Sequence, residues 1–301
     1  MRRGALKLQN SFILREYLRP QMLPSTWCPG CGLGIIMSSI AQAVHFRGLA
    51  KRDVAMVSGI GCTGRMSGYV DFNTLHTTHG RAPAFATGLK LAKPGMNVIV
   101  VMGDGDSMSI GGNHLVHAMR RNIGLTAVVV NNAVYGLTGG QVSPTTPVGG
   151  RTTTSRSGSF ERPMNLETLA RSAGAAFYAR ATVNHTAALV KLIERALAVP
   201  GFAMVEVVSN CHVLYGRMND LGDAADMMKG MESQTRRVNP VLLKRGRMPH
   251  RLDADAEAET AFADDARIPR GVIFEREGSV DYSARYYAMV DELRRKREAA
   301  A

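Results

Sequence analysis

The stretch 97–141, NVIVVMGDGDSMSIGGNHLVHAMRRNIGLTAVVVNNAVYGLTGGQ, decides the fold. Two short apolar runs, 98–102 and 127–130, each stop at a polar, oxygen-rich turn, and one helix length beginning at Gly111 and Gly112 lies between them. This is a strand, turn, helix, strand unit. A right-handed crossover of that length makes the strands parallel neighbours, so Asp104 and Asn132 both project beyond one edge of one sheet. A carboxylate and a carboxamide then face one small volume. They are hard oxygen ligands beside a glycine-rich helix start, a combination that suits Mg²⁺ holding a diphosphate.

Composition bounds what surrounds this unit. A chain of 301 residues, 45% hydrophobic and 21% charged, can bury the core of one large α/β domain or two smaller ones. No apolar run approaches the ~18–20 residues of a membrane span. The opening MRRGALKLQNSFILREYL has early arginines but no signal-type apolar region, so no membrane association and a cytoplasmic location are expected. The net charge of +12 suits an acidic protein partner better than nucleic acid, because the basic residues are spread along the chain and aromatics make up only 6%.

Upstream, residues 1–23 read as an irregular arm. Trp27-Cys28-Pro29-Gly30-Cys31-Gly32 then opens a helix over 33–46, with Leu33, Ile36, Ile40 and Val44 on its apolar face. Amides and the helix dipole at such a turn favour thiolates. A strand at 54–57 empties into SGIGCTGR, whose glycines let backbone approach a phosphate. His79 and Arg81 precede a helix over 84–92 and suit an anion, although a lone histidine is more often a structural hydrogen-bonder.

Downstream, the Thr/Ser/Arg/Gly-rich stretch 143–159 reads as a loop long enough to cover a site or meet a partner. Helices are expected over 166–173 and 186–197, and a buried strand over 203–208 runs into Ser209-Asn210-Cys211-His212. The chain divides into a domain over 1–235 and a C-terminal tail over 236–301. That tail carries a basic run at 236–251, an acidic run at 253–265 and a helix over 283–298. Tyr286, Val290 and Leu293 share one face of the helix, which suits packing on this or a neighbouring subunit.

All four cysteines fall at turns. Structural zinc usually takes two close pairs, and the second pair is missing, so the dispersed spacing favours [4Fe-4S] over zinc by a modest margin. Unrelated buried cysteines with one chance Cys-x-x-Cys remain the simplest alternative. Gly-Asp-Gly followed after 25 residues by Asn-Asn, with an apolar strand before each, resembles the thiamine diphosphate signature.

In order, WCPGCG, SGIGCTGR, HGR, GDGDSMSIGGNH, NNAVYGLTGGQ and CHVLYGRMN resemble the β subunits of 2-oxoacid:ferredoxin oxidoreductases. The closing GVIFEREGSVDYSARY is similar to members acting on 2-oxoglutarate. The resemblance implies a three-layer α/β/α thiamine diphosphate-binding fold with a mainly parallel sheet and an irregular or helical C-terminal tail. It implies Cys28, Cys31, Cys62 and Cys211 as ligands of a [4Fe-4S] cluster, and Asp104, the Asn132 side chain and the Val134 carbonyl as ligands of Mg²⁺. Ile60, Gly61, Cys62, Thr63, His79, Gly105, Asp106, Gly136 and Leu137 match cofactor-contacting positions.

The chemistry implied is oxidative decarboxylation of a 2-oxoacid with coenzyme A, the electrons passing through the cluster to ferredoxin. The glutamate that acts on the cofactor comes from the partner α subunit in this family, so no proton-transfer catalyst is assigned here. A heterodimer or a dimer of heterodimers is implied. Some relatives carry lysine where Gly139 stands, so 2-oxoglutarate is chosen over pyruvate or a branched 2-oxoacid on overall similarity. A zinc-stabilised scaffold that binds nucleic acid is the alternative of another class.

Overall fold

The computed structural model describes residues 13–238, 241–243 and 267–299. Besides a short antiparallel pair, Val134–Tyr135 with Gln141–Val142, its strands are β1 (Val54–Ser58), β2 (Asn73–His76), β3 (Asn97–Gly103), β4 (Leu125–Asn131), β5 (Phe177–Thr182), β6 (Ala203–Val208), β7 (Thr235–Arg237), β8 (Val241–Leu243) and β9 (Ile268–Arg276). They form one nine-stranded sheet in the order β8-β9-β5-β6-β4-β3-β1-β2, with β7 pairing β9 off this path. β3 and β4 are parallel neighbours, in register from Val98–Leu125 to Gly103–Val130. The antiparallel pair is β5 with β9; every other pairing in this sheet is parallel.

The helices are α1 (Leu33–Phe46), α2 (Ala82–Ala92), α3 (Asp104–Met108), α4 (Gly112–Arg121), α5 (Leu166–Ala173), α6 (Thr186–Ala196), α7 (Ala224–Ser233) and α8 (Tyr282–Ala299). Central strands are apolar at nearly every position because both of their faces are covered. Alternate residues part accordingly. Val54 and Met56 enter the core that holds Ile36, Ile40, Leu189 and Ile193 of α1 and α6. Ala55 and Val57 enter the other core, with Ala86, Leu115, Met119 and Leu166 of α2, α4 and α5. The result is the three-layer α/β/α architecture, with the mainly parallel sheet in the middle.

Two boundaries differ from expectation. The arm before residue 23 is not irregular throughout: residues 13–17 form a helical turn, Ile13 and Tyr17 are buried, and Leu18 bridges Val70. Nor is 236–301 only a surface tail. β9 lies in the main sheet beside β5, with Ile273 and Phe274 in the core, so the domain runs past residue 235. Asn122, the left-handed cap of α4, donates to Ser279 Oγ at 2.9 Å and the Val280 carbonyl at 2.8 Å, and Asp281 accepts from the Gly124 amide at 2.8 Å. These bonds stitch the segment before α8 to the crossover. The face of α8 expected to pack on this or a neighbouring subunit stands open on this one, Tyr286 at 42% and Leu293 at 57% exposed. The acidic run 253–265 lies outside the described residues, as does most of the basic run before it.

Candidate active site

Parallel strands bring their C-terminal ends to one sheet edge, and the turns there close a narrow cleft. It is lined by Ile60, Gly61, Cys62 and Thr63 after β1, His79 after β2, and Asp104, Gly105 and Asp106 after β3. Asn132, Val134, Tyr135, Gly136 and Leu137 after β4 complete it. Residues from four separate turns thus share one volume. A larger cavity of about 470 Å³ lies between α6 and β9, against Arg180, His185, Lys191 and Arg270. None of the glycine turns, the β3 and β4 turn residues or the cysteines lines it; the glycine turns and the β3 and β4 turn residues gather at the smaller cleft.

Asp104 is 2% exposed and accepts from the Gly105 amide at 2.9 Å, from Ser143 Oγ at 2.9 Å and from Thr145 Oγ1. Burial pushes its carboxyl above the ordinary range, and these hydrogen bonds only partly offset that. A cation in the cleft would favour the ionised form. Gly105 is required by a close approach: a Cβ there would collide with the ring of Tyr135, whose hydroxyl donates to the Gly105 carbonyl at 3.2 Å. Of the two adjacent asparagines, Asn131 turns inward and donates to Glu206 at 2.7 Å, which leaves Asn132 for the cleft.

Asp106 serves the cleft through its neighbours. Its Oδ1 accepts from the Gly80 amide at 2.6 Å and pairs with His79 Nδ1, with the Ile60 amide at 3.4 Å. Its Oδ2 is buried without a partner against Gly59, where any Cβ would collide with it. A carboxylate only accepts, so Nδ1 of His79 carries the hydrogen and Nε2 is left for a ligand. Arg81 donates to the Ile110 carbonyl at 3.0 Å and so makes a structural contact.

Cys28 is exposed, and Cys31, Cys62 and Cys211 are half-buried. The four thiols interact through space although they come from three separate turns. Cys62 lines the cleft itself, and a Cβ built on Gly136 would stand 3.6 Å from Cys211 Sγ and 3.7 Å from Cys62 Sγ. Among the described residues no three of His, Cys, Asp or Glu converge closely enough to hold a single metal ion. Protein groups alone do not favour the thiolate at Cys31, Cys62 or Cys211. Burial first, then repulsion from the other three cysteines, pushes Cys31 up to about 11, against one backbone hydrogen bond. Cys62 and Cys211 are raised chiefly by burial too. Helix-terminal amides are too weak here to win alone.

Sequence reasoning missed the residue that joins these turns. Asn210, 1% exposed, accepts from the Gly32 amide at 3.0 Å and donates to the Gly30 carbonyl at 3.0 Å. It fastens the Cys28–Cys31 turn to the strand end that carries Cys211. A second anchor is Trp27, which donates to the Cys62 carbonyl at 2.8 Å. Asn210 beside a cysteine was a visible signal, but its partners lie about 180 residues away.

Residues 59–207 match the family model described as "Thiamine pyrophosphate enzyme, C-terminal TPP binding domain". The chain is 51% identical over 228 residues to the 2-oxoglutarate synthase subunit KorB of Archaeoglobus fulgidus, covering 76% of this chain and 83% of that one. The chain belongs to the 2-oxoacid:ferredoxin oxidoreductase β-subunit family. Within this family the Methanothermobacter marburgensis KorB is 42% identical over 274 residues, covering 88% and 94% of the two chains. A solved 2-oxoglutarate:ferredoxin oxidoreductase from Magnetococcus marinus, with 2-oxoglutarate, coenzyme A and succinyl-CoA bound, superposes with a TM-score of 0.79. It is 31% identical and covers 93% of this chain and 90% of that one. Family membership displaces the zinc-stabilised nucleic-acid scaffold as a reading.

Proposed function

We propose that this chain is the β subunit of a 2-oxoglutarate:ferredoxin oxidoreductase, holding thiamine diphosphate, Mg²⁺ and a [4Fe-4S] cluster side by side. One observation carries the reading: Gly136 belongs to the cleft wall, yet a Cβ on it would touch two cysteine sulfurs. Any cluster on those sulfurs stands next to any cofactor in the cleft. That adjacency is what separates an oxidative thiamine site from a simple decarboxylase, which needs no cysteines.

The donor set fits each group. Asp104, the Asn132 side chain and the Val134 carbonyl supply hard oxygens for Mg²⁺. The 60–63 turn supplies backbone donors for a diphosphate, and His79, oriented by Asp106, presents Nε2 to the cofactor. Gly105 and Gly136 line the cleft, and Leu137, 47% exposed, stands at the rim. Cys28, Cys31, Cys62 and Cys211 supply four thiolates from dispersed turns, as a polynuclear cluster tolerates better than one tetrahedral ion. When bound, the thiamine stabilises the carbanion left by CO₂ loss, and the cluster accepts electrons singly.

The cleft in this chain encloses about 80 Å³, too little for the whole of thiamine diphosphate. An α subunit would cover the remainder and bring the glutamate that acts on the aminopyrimidine. Coenzyme A and ferredoxin take the acyl group and the electrons. Among the described residues no helix is long and apolar enough to cross a membrane.

Metal analysis of anaerobically purified protein tests the cluster. About four irons with matching sulfide per chain are expected; zinc without iron would overturn it. Rates of the complete complex on 2-oxoglutarate, pyruvate and 2-oxoisovalerate test the substrate, with 2-oxoglutarate fastest.

A further inference from the structure

We propose that the turn Ser143-Pro144-Thr145-Thr146 is the positioning element of the Mg²⁺ clamp, holding both ligand-bearing turns in one register. The inference rests on Asp104 and Asn132 as metal ligands, and it assigns new roles to three hydroxyls. Ser143, Thr145 and Thr146 are 6%, 8% and 2% exposed, and none of the three lines the cleft. Buried hydroxyls need partners, and these three are shared between the two turns.

Two of them hold Asp104. Ser143 Oγ, at 2.9 Å, and Thr145 Oγ1 both donate to Oδ2, while the Gly105 amide donates to Oδ1 at 2.9 Å. Three donors on two oxygens fix the carboxylate plane, and with it the direction of the remaining lone pairs. The third hydroxyl holds the other turn. Thr146 Oγ1 donates to the Ala133 carbonyl at 2.7 Å and accepts from the Ser143 amide at 2.9 Å. Ala133 lies between Asn132 and Val134 and has φ 61°, a left-handed conformation that a side chain disfavours. The bond from Thr146 secures it there. Pairing of Val134 with Val142 brings the turn to this place.

Mg²⁺ demands near-octahedral geometry, whereas Ca²⁺ tolerates irregular shells. A positioning defect should therefore raise the Mg²⁺ requirement more than the Ca²⁺ requirement. A merely structural defect would raise both together. Outer-shell partners of metal ligands are commonly worth 10–100-fold in affinity.

The test uses the complete complex, stripped of thiamine diphosphate and metal, and reads bound cofactor as Mg²⁺ or Ca²⁺ is titrated. Thr145→Val and Ser143→Ala should each raise the Mg²⁺ needed for half-retention by about 10–100-fold, with a smaller shift for Ca²⁺ and unchanged iron content. Thr145→Ser should restore wild-type behaviour. An unshifted Mg²⁺ curve in both loss variants, or equal Mg²⁺ and Ca²⁺ shifts, overturns the proposal. Asp104→Ala separates this failure from that of the underlying reading: it should lose the cofactor at every Mg²⁺ level and keep iron. Full retention in Asp104→Ala would overturn the ligand assignment itself.

Discussion

Asn210 spans the turn that carries Cys28 and Cys31 through two hydrogen bonds of 3.0 Å, while its chain neighbour is Cys211. Removing the carboxamide leaves the Gly32 amide and the Gly30 carbonyl without their side-chain partner. Each such loss costs about 1–3 kcal/mol in a buried setting. Asn210→Ala is expected to lower iron content about tenfold at equal purification stringency, because the cysteine turns no longer share one frame. Thiamine diphosphate retention should persist, since Asp104 and Asn132 are held by other turns. Parallel iron and cofactor assays check both halves of this expectation. Wild-type iron in the variant would show that the cluster holds its turns unaided.

At the scale of elements, β5 and β6 carry a buried ion pair through the sheet. Arg180 Nε donates to Glu206 at 2.6 Å, and Tyr178 and Asn131 donate to the same carboxylate. Burial alone would raise the Glu206 carboxyl, but Arg180, then Asn131 and Tyr178, hold it below its ordinary value. A depressed carboxylate stabilises the fold above its unfolded pKa, and that contribution is lost as pH falls through the folded value. Glu206→Gln should cost about 3 kcal/mol near neutral pH by leaving Arg180 short of its main partner. Thermal melts from pH 7 downward should show wild type losing stability below about pH 4.3. The variant should start lower and decline less. Parallel curves would contradict the assignment.

The same strand explains what the sequence left hidden. The unit 97–141 was legible because its turns carry chemistry and its strands are plainly apolar. β5, FYARAT, was not, since an arginine interrupts a run whose both faces are buried, and its partner Glu206 lies a full crossover away. β9 was obscured by Pro269 and Gly271, and β2 by its exposed edge position. The residues that line the cleft were legible by motif. The groups that hold them were not: Ser143, Thr145, Thr146 and Asn210 act through contacts between segments, which spacing does not reveal.

At the scale of the molecule, the cleft holds Asp104, Asn132 and the glycine turns, with the cysteine sulfurs against its wall at Gly136. The arrangement explains why one chain would join carbanion chemistry to one-electron transfer. The enclosed volume suits only part of the cofactor, as a half-site completed by an α subunit would. The exposed row of Tyr282, Tyr286, Met289 and Leu293 on α8 leaves a further surface uncovered. The central claim is that electrons released at the thiamine site pass to a cluster held by Cys28, Cys31, Cys62 and Cys211. The most direct test follows the visible absorption of the anaerobic complex when 2-oxoglutarate and coenzyme A are added without ferredoxin. The absorption should bleach as the cluster is reduced; an unchanged spectrum while succinyl-CoA accumulates would contradict the account.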